Sequence, residues 1–158
     1  MTDTARRTHG YAATPIQKTA LIVGIVFLLV GIAGFIPGLT HSAEHLHGAG
    51  ADSEAHLLGV FQVSVLHNFV HLAFAIAGIA LAARARSSRL YLIIGGLAYL
   101  VVWLYGLIAV GNESLNFIPV NDADNWLHLG LGIGMVLLGI FVSREPRVPG
   151  NGNRTARA

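Results

Sequence analysis

The chain has 158 residues, enough for one domain, and 54% of them are hydrophobic. Only 11% carry charge, against about 25% in a soluble globular protein, so the composition excludes an ordinary soluble domain. The absence of cysteine excludes disulfides, thiolate metal sites and cysteine nucleophiles. The net charge of +2 comes from short basic blocks beside apolar runs, a distribution that argues against a nucleic-acid partner.

Four stretches are long and apolar enough to cross a bilayer as helices. A hydrocarbon core about 30 Å thick needs roughly 20 apolar residues in helical form. At the first stretch, Thr14 is a suitable N-cap and Pro15 a suitable first helical residue, and Pro37 with Gly38 ends the helix. We therefore predict an all-α, integral membrane four-helix bundle with spans at about residues 15–36, 64–83, 90–110 and 122–142.

The basic residues predict the orientation of these spans. All ten Lys and Arg residues lie at or before the start of the first span, between the second and third, or after the fourth. The other two loops, residues 37–63 and 111–121, contain none. The positive-inside rule then places both termini in the cytoplasm of a multi-pass plasma-membrane protein. A signal peptide cleaved near Ser42 is the alternative, but it would leave the basic C-terminal segment outside, so we expect a retained helix.

The segments outside the spans differ in composition. Residues 14–143 form the predicted transmembrane domain, and the polar residues 1–13 and 144–158 predict disordered cytoplasmic tails, the second of them basic. The outer loop 37–63 predicts a mobile, solvated segment, with weak collection of divalent metal as the alternative. That alternative rests on seven loop side chains: His41, Glu44, His45, His47, Asp52, Glu54 and His56.

Spans two and four share the polar pattern Asn-x-x-His-Leu. It begins at Asn68 and again at Asn125, an offset of 57 residues. The same offset aligns Ser64 with Asn121, two residues suited to cap the starts of these helices. Both helices run from outside to inside, so we predict a parallel internal repeat of two helical hairpins.

The repeat places a polar cluster near the outer ends of spans two and four. By the i, i+3, i+4 rule, one face of each helix has polar residues in its first turns and small residues in its later turns. Such a face favours interhelical hydrogen bonds and close helix packing. On span two this stripe contains Ser64, His67, Asn68, His71, Ala75, Gly78 and Ala82. On span four it contains Asn121, Asp124, Asn125, His128, Gly132, Met135 and Gly139. The candidate ligand-binding residues are His67, Asn68, His71, Asp124, Asn125 and His128.

The depth of this cluster follows from the helical rise. His71 precedes Arg84 by 13 residues, which is about 20 Å of helix, so the cluster is predicted in the outer third of the membrane. Tyr99, Trp103 and Tyr105 of span three reach comparable depths and offer a phenol or indole as partner.

Ionisable side chains inside a membrane are energetically costly, so their presence indicates a functional site. Four roles are possible for the polar cluster. The first is structural: Asp124 and His67 gain from the helix N-termini, and the two Asn-x-x-His motifs form a symmetric hydrogen-bond lock. The second is a divalent-metal site with His67, His71, Asp124 and His128 as ligands. The third is a b-type haem with His71 and His128 as axial ligands. The last is a pathway for protons or a solute through the same ionisable groups.

Two runs of sequence carry a family resemblance. Residues 66–72 (Leu-His-Asn-Phe-Val-His-Leu) and 124–130 (Asp-Asn-Trp-Leu-His-Leu-Gly) resemble an uncharacterised family of small four-helix membrane proteins from high-GC Gram-positive bacteria. The family is a domain of unknown function, and the resemblance covers about residues 15–143. It implies the architecture and supplies no activity.

The sequence favours a structural or accessory membrane protein of unknown activity. Its expected partners are the lipid bilayer and, through Gly-rich helix faces, a second copy or other membrane proteins. The alternative is a metal- or haem-binding redox protein that uses the intramembrane histidines. No enzymatic activity is assigned, because the chain lacks a phosphate-binding loop, a plausible Ser-His-Asp arrangement and a zinc-protease helix motif.

Overall fold

The computed structural model describes residues 10–50, 52–142 and 144. Four helices account for most of them: α1 (Pro15–Ala33), α2 (Val65–Leu81), α3 (Ala85–Ala109) and α4 (Asp122–Phe141). The mostly helical, four-helix prediction is confirmed. Of the predicted disordered tails, residues 1–9 and 145–158 lie outside the described residues.

Three of the four helices are long and apolar enough to cross a membrane. These are α1, α3 and α4, judged by length and composition. Helix α2 is equally apolar but has 17 residues, about 26 Å of helix, slightly less than a typical hydrocarbon core of about 30 Å.

The predicted helix starts are confirmed at three of the four helices. Thr14, Ser64 and Asn121 cap α1, α2 and α4, and each side chain accepts a hydrogen bond from the backbone N–H three residues later. Such caps satisfy N–H groups that have no partner inside the helix. They also fix where the side chains of the following turn point, and the polar cluster begins in that turn.

Helix α1 ends earlier than the sequence predicted, at Ala33 rather than residue 36. Beyond it, Phe35 donates to the carbonyl of Ile32, a tighter i→i−3 bond, and the Thr40 hydroxyl donates to the carbonyl of Ala33 at 3.0 Å. The last orphan carbonyls of α1 are thus satisfied without further helical turns. The apolar run continues past the helix and therefore misled the prediction.

Helix α3 begins earlier than predicted, at Ala85 rather than residue 90. The arginine-containing segment expected as a loop is its first turn, and the hydroxyls of Ser87 and Ser88 donate to the carbonyl of Arg84. Arginine is a good helix former, so the end of an apolar run marks a change of surroundings and not the end of the helix.

The described residues of the outer loop contain regular secondary structure that the sequence did not predict, and the mobility of this loop stays a prediction. It contains a three-stranded antiparallel sheet of two-residue strands: β1 (Thr40–His41), β2 (His56–Leu57) and β3 (Phe61–Gln62). The sheet docks on the start of α4, where Asn121 donates from Nδ2 to the carbonyl of Val60 at 2.8 Å. The loop therefore covers the outer end of the bundle.

The bundle is built from two helix pairs. Helix α1 packs along α2 and α3 along α4, and α1 also contacts α3. A Cβ added at Gly24 would lie 3.1 Å from the carbonyl oxygen of Ala75, and one at Gly96 would lie 2.7 Å from that of Gly132. Both pairs thus need a glycine on the first helix at a point where the backbone of the second helix lies against it.

The bundle surface is apolar and much of its interior is polar or small. Large side chains face outward along each helix, including Ile76 (67% exposed), Ile108 (68%) and Trp126 (70%). In a soluble protein such a surface would be an aggregation hazard, whereas it is typical of a surface that faces lipid. The polar groups of α2 and α4 are directed to the interior.

Candidate metal centre

All six candidate residues of the polar cluster lie inside the bundle. None is more than 8% exposed: His67, Asn68, His71, Asp124, Asn125 and His128. The small residues predicted below them on the two stripes are buried as well. The helical periodicity therefore assigned the interior face of α2 and of α4 correctly.

Three of the six side chains converge on one point. His67 and His71 lie one turn apart on α2, and His128 faces them from α4. Each ring offers a nitrogen, and these three nitrogens lie within 4.8 Å of one another. The ring centroid of His67 lies 4.7 Å from that of His71 and 5.9 Å from that of His128.

The tautomer of His67 is set by a backbone carbonyl. Its Nδ1 lies 3.1 Å from the carbonyl oxygen of Pro119. The carbonyl can only accept, so Nδ1 donates and Nε2 of the neutral ring carries a lone pair. The side chain of Asn116 stabilises the backbone next to Pro119. It donates a hydrogen bond to the carbonyl of Val120 and accepts one from the backbone N–H of Val120, each at 3.0 Å. Metal-binding histidines are commonly oriented by such a hydrogen bond from the other ring nitrogen.

The predicted symmetric hydrogen-bond lock does not form among the described residues. The amide atoms of Asn68, the Oδ1 of Asn125 and the Nδ1 atoms of His71 and His128 are buried without a partner there. A buried polar group left unpaired costs about 1–3 kcal/mol. A structural role that rests on mutual satisfaction of these groups is therefore not supported by their contacts.

The two asparagines instead pack against glycines, Gly34 at the C-cap of α1 and Gly106 within α3. A Cβ at Gly34 would overlap the amide of Asn68, and a Cβ at Gly106 would overlap the amide oxygen of Asn125. Each asparagine thus occupies space that only glycine leaves open. The same kind of contact between asparagine and glycine therefore occurs in both helix pairs.

Asp124, the fourth predicted metal ligand, lies apart from the group of three histidine nitrogens. Its Oδ2 accepts hydrogen bonds from the backbone N–H of Gln62 at 2.9 Å and of Asn121 at 3.0 Å. The carboxylate therefore joins the outer sheet to the cap of α4. Its participation as a ligand stays a prediction.

Two aromatic rings form the floor beneath the histidines. Phe27 of α1 stacks on Tyr99 of α3 at 5.4 Å between ring centroids. Phe27 also stacks on His71 at 5.9 Å, and Tyr99 contacts His128 at 5.4 Å. Tyr99 was among the predicted neighbours, whereas Phe27 was missed. Because the rings occupy matching places in the two hairpins, aligning α1 with α3 would have found it.

The other two aromatic side chains predicted near the cluster make no direct ring contact with the histidines, although Tyr105 lines a cavity beside them. The Tyr105 hydroxyl donates to the carbonyl of Leu115 at 2.7 Å, in the loop before α4. Trp103 is half-buried. Neither makes a ring contact with the three histidines in the described part of the chain.

A cavity of about 170 Å³ lies on each side of the histidines. One is lined by the three histidines, Tyr99, Tyr105 and apolar residues of α2, α3 and the loop before α4. The other is lined by the same histidines, Phe27, Asp124 and apolar residues of α1, α4 and the outer sheet. The imidazoles are thus polar groups at the junction of two mainly apolar spaces, which is the usual composition of a small-ligand site.

This donor set fits a single metal ion better than haem. Neutral imidazoles are good ligands for Zn, Cu, Fe and Ni. In a tetrahedral zinc site, Zn–N bonds of about 2.0–2.1 Å place the ligand nitrogens about 3.4 Å from one another. The three histidine nitrogens lie within 4.8 Å of one another. Ring rotations that shorten these nitrogen–nitrogen distances by about 1.4 Å or less would therefore produce the tetrahedral geometry. A porphyrin between His71 and His128 would have to displace His67, which is held by Pro119.

The sequence profile of one protein family, described as "Domain of unknown function (DUF4383)", matches residues 17–141. The chain belongs to the DUF4383 family. The match includes the polar cluster and all four helices apart from the first two residues of α1. No curated protein and no solved structure matches the chain. The DUF4383 assignment therefore supports the predicted relationship and leaves the activity to be inferred from the site.

Proposed function

We propose that this DUF4383 protein is a multi-pass plasma-membrane protein that binds one divalent transition-metal ion through His67, His71 and His128. The observation that carries the proposal is the convergence of three buried imidazole nitrogens within 4.8 Å of one another. The hydrogen bond from His67 to Pro119 adds the orientation expected of a metal ligand. Haem ligation by His71 and His128 is the second candidate. It is less favoured because a porphyrin between these two histidines would have to displace His67.

The membrane part of the proposal rests on the surface and on charge. The outward faces of the helices are apolar, and the two loops at one end of the bundle contain no Lys or Arg. We propose that these loops face outward and that both termini are cytoplasmic. A bacterial origin among high-GC Gram-positive organisms belongs to the same proposal and rests on the resemblance of the two Asn-x-x-His runs.

The proposal includes an internal duplication of a two-helix hairpin. Matching contacts support it: Gly24 lies against the backbone of Ala75, and Gly96 lies against that of Gly132. The paired contacts of the two asparagines with glycine support it further. Under this duplication His71 and His128 are equivalent, and an approximate two-fold axis along the membrane normal passes between them.

Association with a second copy or another membrane protein stays a proposal of lower priority. The three glycines of the predicted small stripes, Gly78, Gly132 and Gly139, are all buried inside the bundle. Gly130 and Gly134 of α4 face outward into open space, a spacing that promotes helix contacts in membranes. Lipid can cover this face of α4 equally well.

Metal content of the purified protein tests the proposed function. The full chain, prepared in detergent without added metal, is loaded with Zn²⁺ or Co²⁺, desalted and assayed by mass spectrometry for metal per chain. We expect one ion per wild-type chain and a loss of stoichiometric binding in His71→Ala and in His128→Ala. His47→Ala, which changes an exposed loop histidine, is the matched control and retains the ion.

Circular dichroism separates loss of ligands from loss of the fold. Variants that keep the wild-type helical content but bind no metal support the site. A folded wild-type protein that takes up neither ion contradicts the proposal. Loss of the ion from His47→Ala together with its retention in His71→Ala would assign binding to the outer loop instead.

A further inference from the structure

The two helix pairs meet along two seams, and each seam contains one of the cavities beside the histidines. Helices pack closely within the pairs α1–α2 and α3–α4, whereas α2 with α3 and α1 with α4 make far fewer contacts. Apart from the histidines, the α2–α3 cavity is lined by residues of those two helices and of the loop before α4. The α1–α4 cavity is lined by residues of those helices and of the outer loop. The histidines thus lie where two less closely packed seams reach the centre of the bundle.

The α2–α3 cavity is open on the side of the bundle. Its wall includes Val101, which is 64% exposed, and Phe117, which is 58% exposed, as well as the buried histidines. Val101 lies two residues after Tyr99, whose ring contacts His128. The opening is therefore level with the histidines and leads from the apolar outer surface of the helices to the imidazole rings. In the proposed membrane protein, an opening at this position faces lipid rather than water.

The wall of this cavity favours an uncharged ligand. Most of it consists of apolar side chains such as Phe74 and Val102. The two tyrosine hydroxyls are not offered to a ligand, because the Tyr99 oxygen is fully buried and Tyr105 donates to the carbonyl of Leu115. A charged group placed against such a wall would lose its hydration without compensation. The cavity volume of about 170 Å³ is similar to that of an apolar cavity of about 150 Å³ that binds benzene.

Asp124 makes the α1–α4 cavity less suitable for an apolar molecule. Its carboxyl group lines this cavity beside the same three histidines. An apolar molecule next to the carboxyl group would exclude water from it without supplying a hydrogen bond. Among the described residues, the lining of the α2–α3 cavity contains no carboxyl group. The two sides of the site therefore differ in polarity, and the α2–α3 side is the one that suits an uncharged ligand.

We propose that the α2–α3 cavity is a lateral binding site, through which an uncharged, lipid-soluble molecule about the size of one aromatic ring reaches the histidines from the bilayer. This inference rests on the proposed metal site and names the class of ligand that approaches it. The ligand lies between α2 and α3, against the imidazole rings and next to the metal ion. The site therefore serves a molecule dissolved in the membrane and not an ion dissolved in water.

Fluorine magnetic resonance of fluorobenzene tests this inference. The full chain in detergent is loaded with Co²⁺ or with Zn²⁺, and the relaxation rate of the fluorine nucleus of added fluorobenzene is measured. Paramagnetic Co²⁺ speeds the relaxation of nuclei that come close to it, whereas diamagnetic Zn²⁺ does not. We expect faster and saturable relaxation with the Co²⁺-loaded chain. The charged analogue 4-fluorobenzenesulfonate should show a much smaller difference between the two metals.

Two half-buried valines provide a matched pair of variants. Val102 lines the α2–α3 cavity, three residues after Tyr99. Val30 lines the α1–α4 cavity, three residues after Phe27. Val102→Phe fills the proposed site, so its affinity for fluorobenzene should fall by about tenfold or more. Val30→Phe adds the same group to the other cavity and should keep the wild-type affinity. If circular dichroism shows that Val102→Phe does not fold, the smaller enlargement Val102→Leu replaces it.

The outcomes separate this inference from the metal site. Failure of the folded wild-type chain to bind Co²⁺ overturns the metal site itself. Bound Co²⁺ with the same fluorine relaxation as bound Zn²⁺ leaves the metal site intact and overturns the lateral site. Equal relaxation in wild type and folded Val102→Phe also overturns the lateral site, because the probe then lies in the detergent. Loss in Val30→Phe with retention in Val102→Phe overturns the choice of cavity, and a selective loss in Val102→Phe supports it.

Discussion

The amide of Asn125 lies against Gly106, in space that a Cβ on the neighbouring helix would occupy. Asn68 has the same relationship with Gly34 in the other hairpin. Both asparagines are buried about one turn before the histidines of their motifs. The helix pairs are therefore brought together at the level of the site by a glycine and an asparagine on each side.

We expect Gly106→Ala to destabilise the fold, because the added methyl group overlaps the Asn125 amide. Overpacking of this kind costs about 1–3 kcal/mol, more than the gain of up to about 1 kcal/mol in helix propensity. The midpoint of thermal unfolding in detergent measures the effect. Gly134→Ala, the same change at an outward-facing position with open space, should be neutral or slightly stabilising.

A second substitution identifies the cause of that destabilisation. Combining Gly106→Ala with Asn125→Ala removes the overlapping amide, so the double variant should lose less stability than the sum of the two single changes. Additive losses would show that the methyl group acts on something other than Asn125.

We expect Asp124→Asn to keep the bound metal ion, because the site has three histidine ligands and the carboxylate holds backbone N–H groups. The asparagine oxygen can still accept from Gln62 and Asn121. Asp124→Ala should also bind metal but unfold more easily, since each N–H left without a partner costs about 1–3 kcal/mol. Loss of the metal from folded Asp124→Asn would restore the carboxylate as the fourth ligand.

The capping of α4 gives a separate stability prediction. Asn121 accepts from the backbone N–H of Asp124 and donates to the carbonyl of Val60. Asn121→Ala removes both bonds and should cost about 0.5–2 kcal/mol for the cap alone. Asn121→Ser keeps a capping oxygen and loses only the bond to Val60, so its unfolding midpoint should lie between those of Asn121→Ala and wild type. Identical midpoints for both variants would contradict the capping role.

The features that the sequence predicted well are local ones. Caps such as Ser64 and the buried faces of α2 and α4 follow from residue preference and from a period of 3.6 residues. The outer sheet could not be predicted in this way, because strands of two residues are too short to show alternation. The helix boundary at Ala85 was missed because the prediction followed hydropathy, which records the surroundings of a helix rather than its hydrogen bonds.

The site was predictable in composition but not in geometry. Periodicity places His67, His71 and His128 inside, yet it cannot say that three nitrogens converge while the Asp124 carboxylate turns to the outer sheet. That turn depends on Gln62, which is 62 residues away in sequence. The absence of the hydrogen-bond lock likewise depends on the distance between helices, and a sequence pattern does not contain that distance.

The last prediction concerns membrane topology, which depends on whether the short helix α2 crosses the membrane. A reporter active only outside the cytoplasm should be inactive when fused after Arg157 and active when fused after Glu113, in the loop between α3 and α4. Helix α2 has 17 residues, about 26 Å, and crosses a core of about 30 Å if the apolar residues at its two ends or local thinning supply the difference.

If α2 did not cross, α3 and α4 would both reverse direction, and the reporter would be active after Arg157 and inactive after Glu113. The arginines between α2 and α3 would then face outward, against the positive-inside rule. The two fusions therefore decide between four spans and three, and a reversed pair of activities would also reject the parallel duplication, because α2 and α4 would no longer run in the same direction across the membrane.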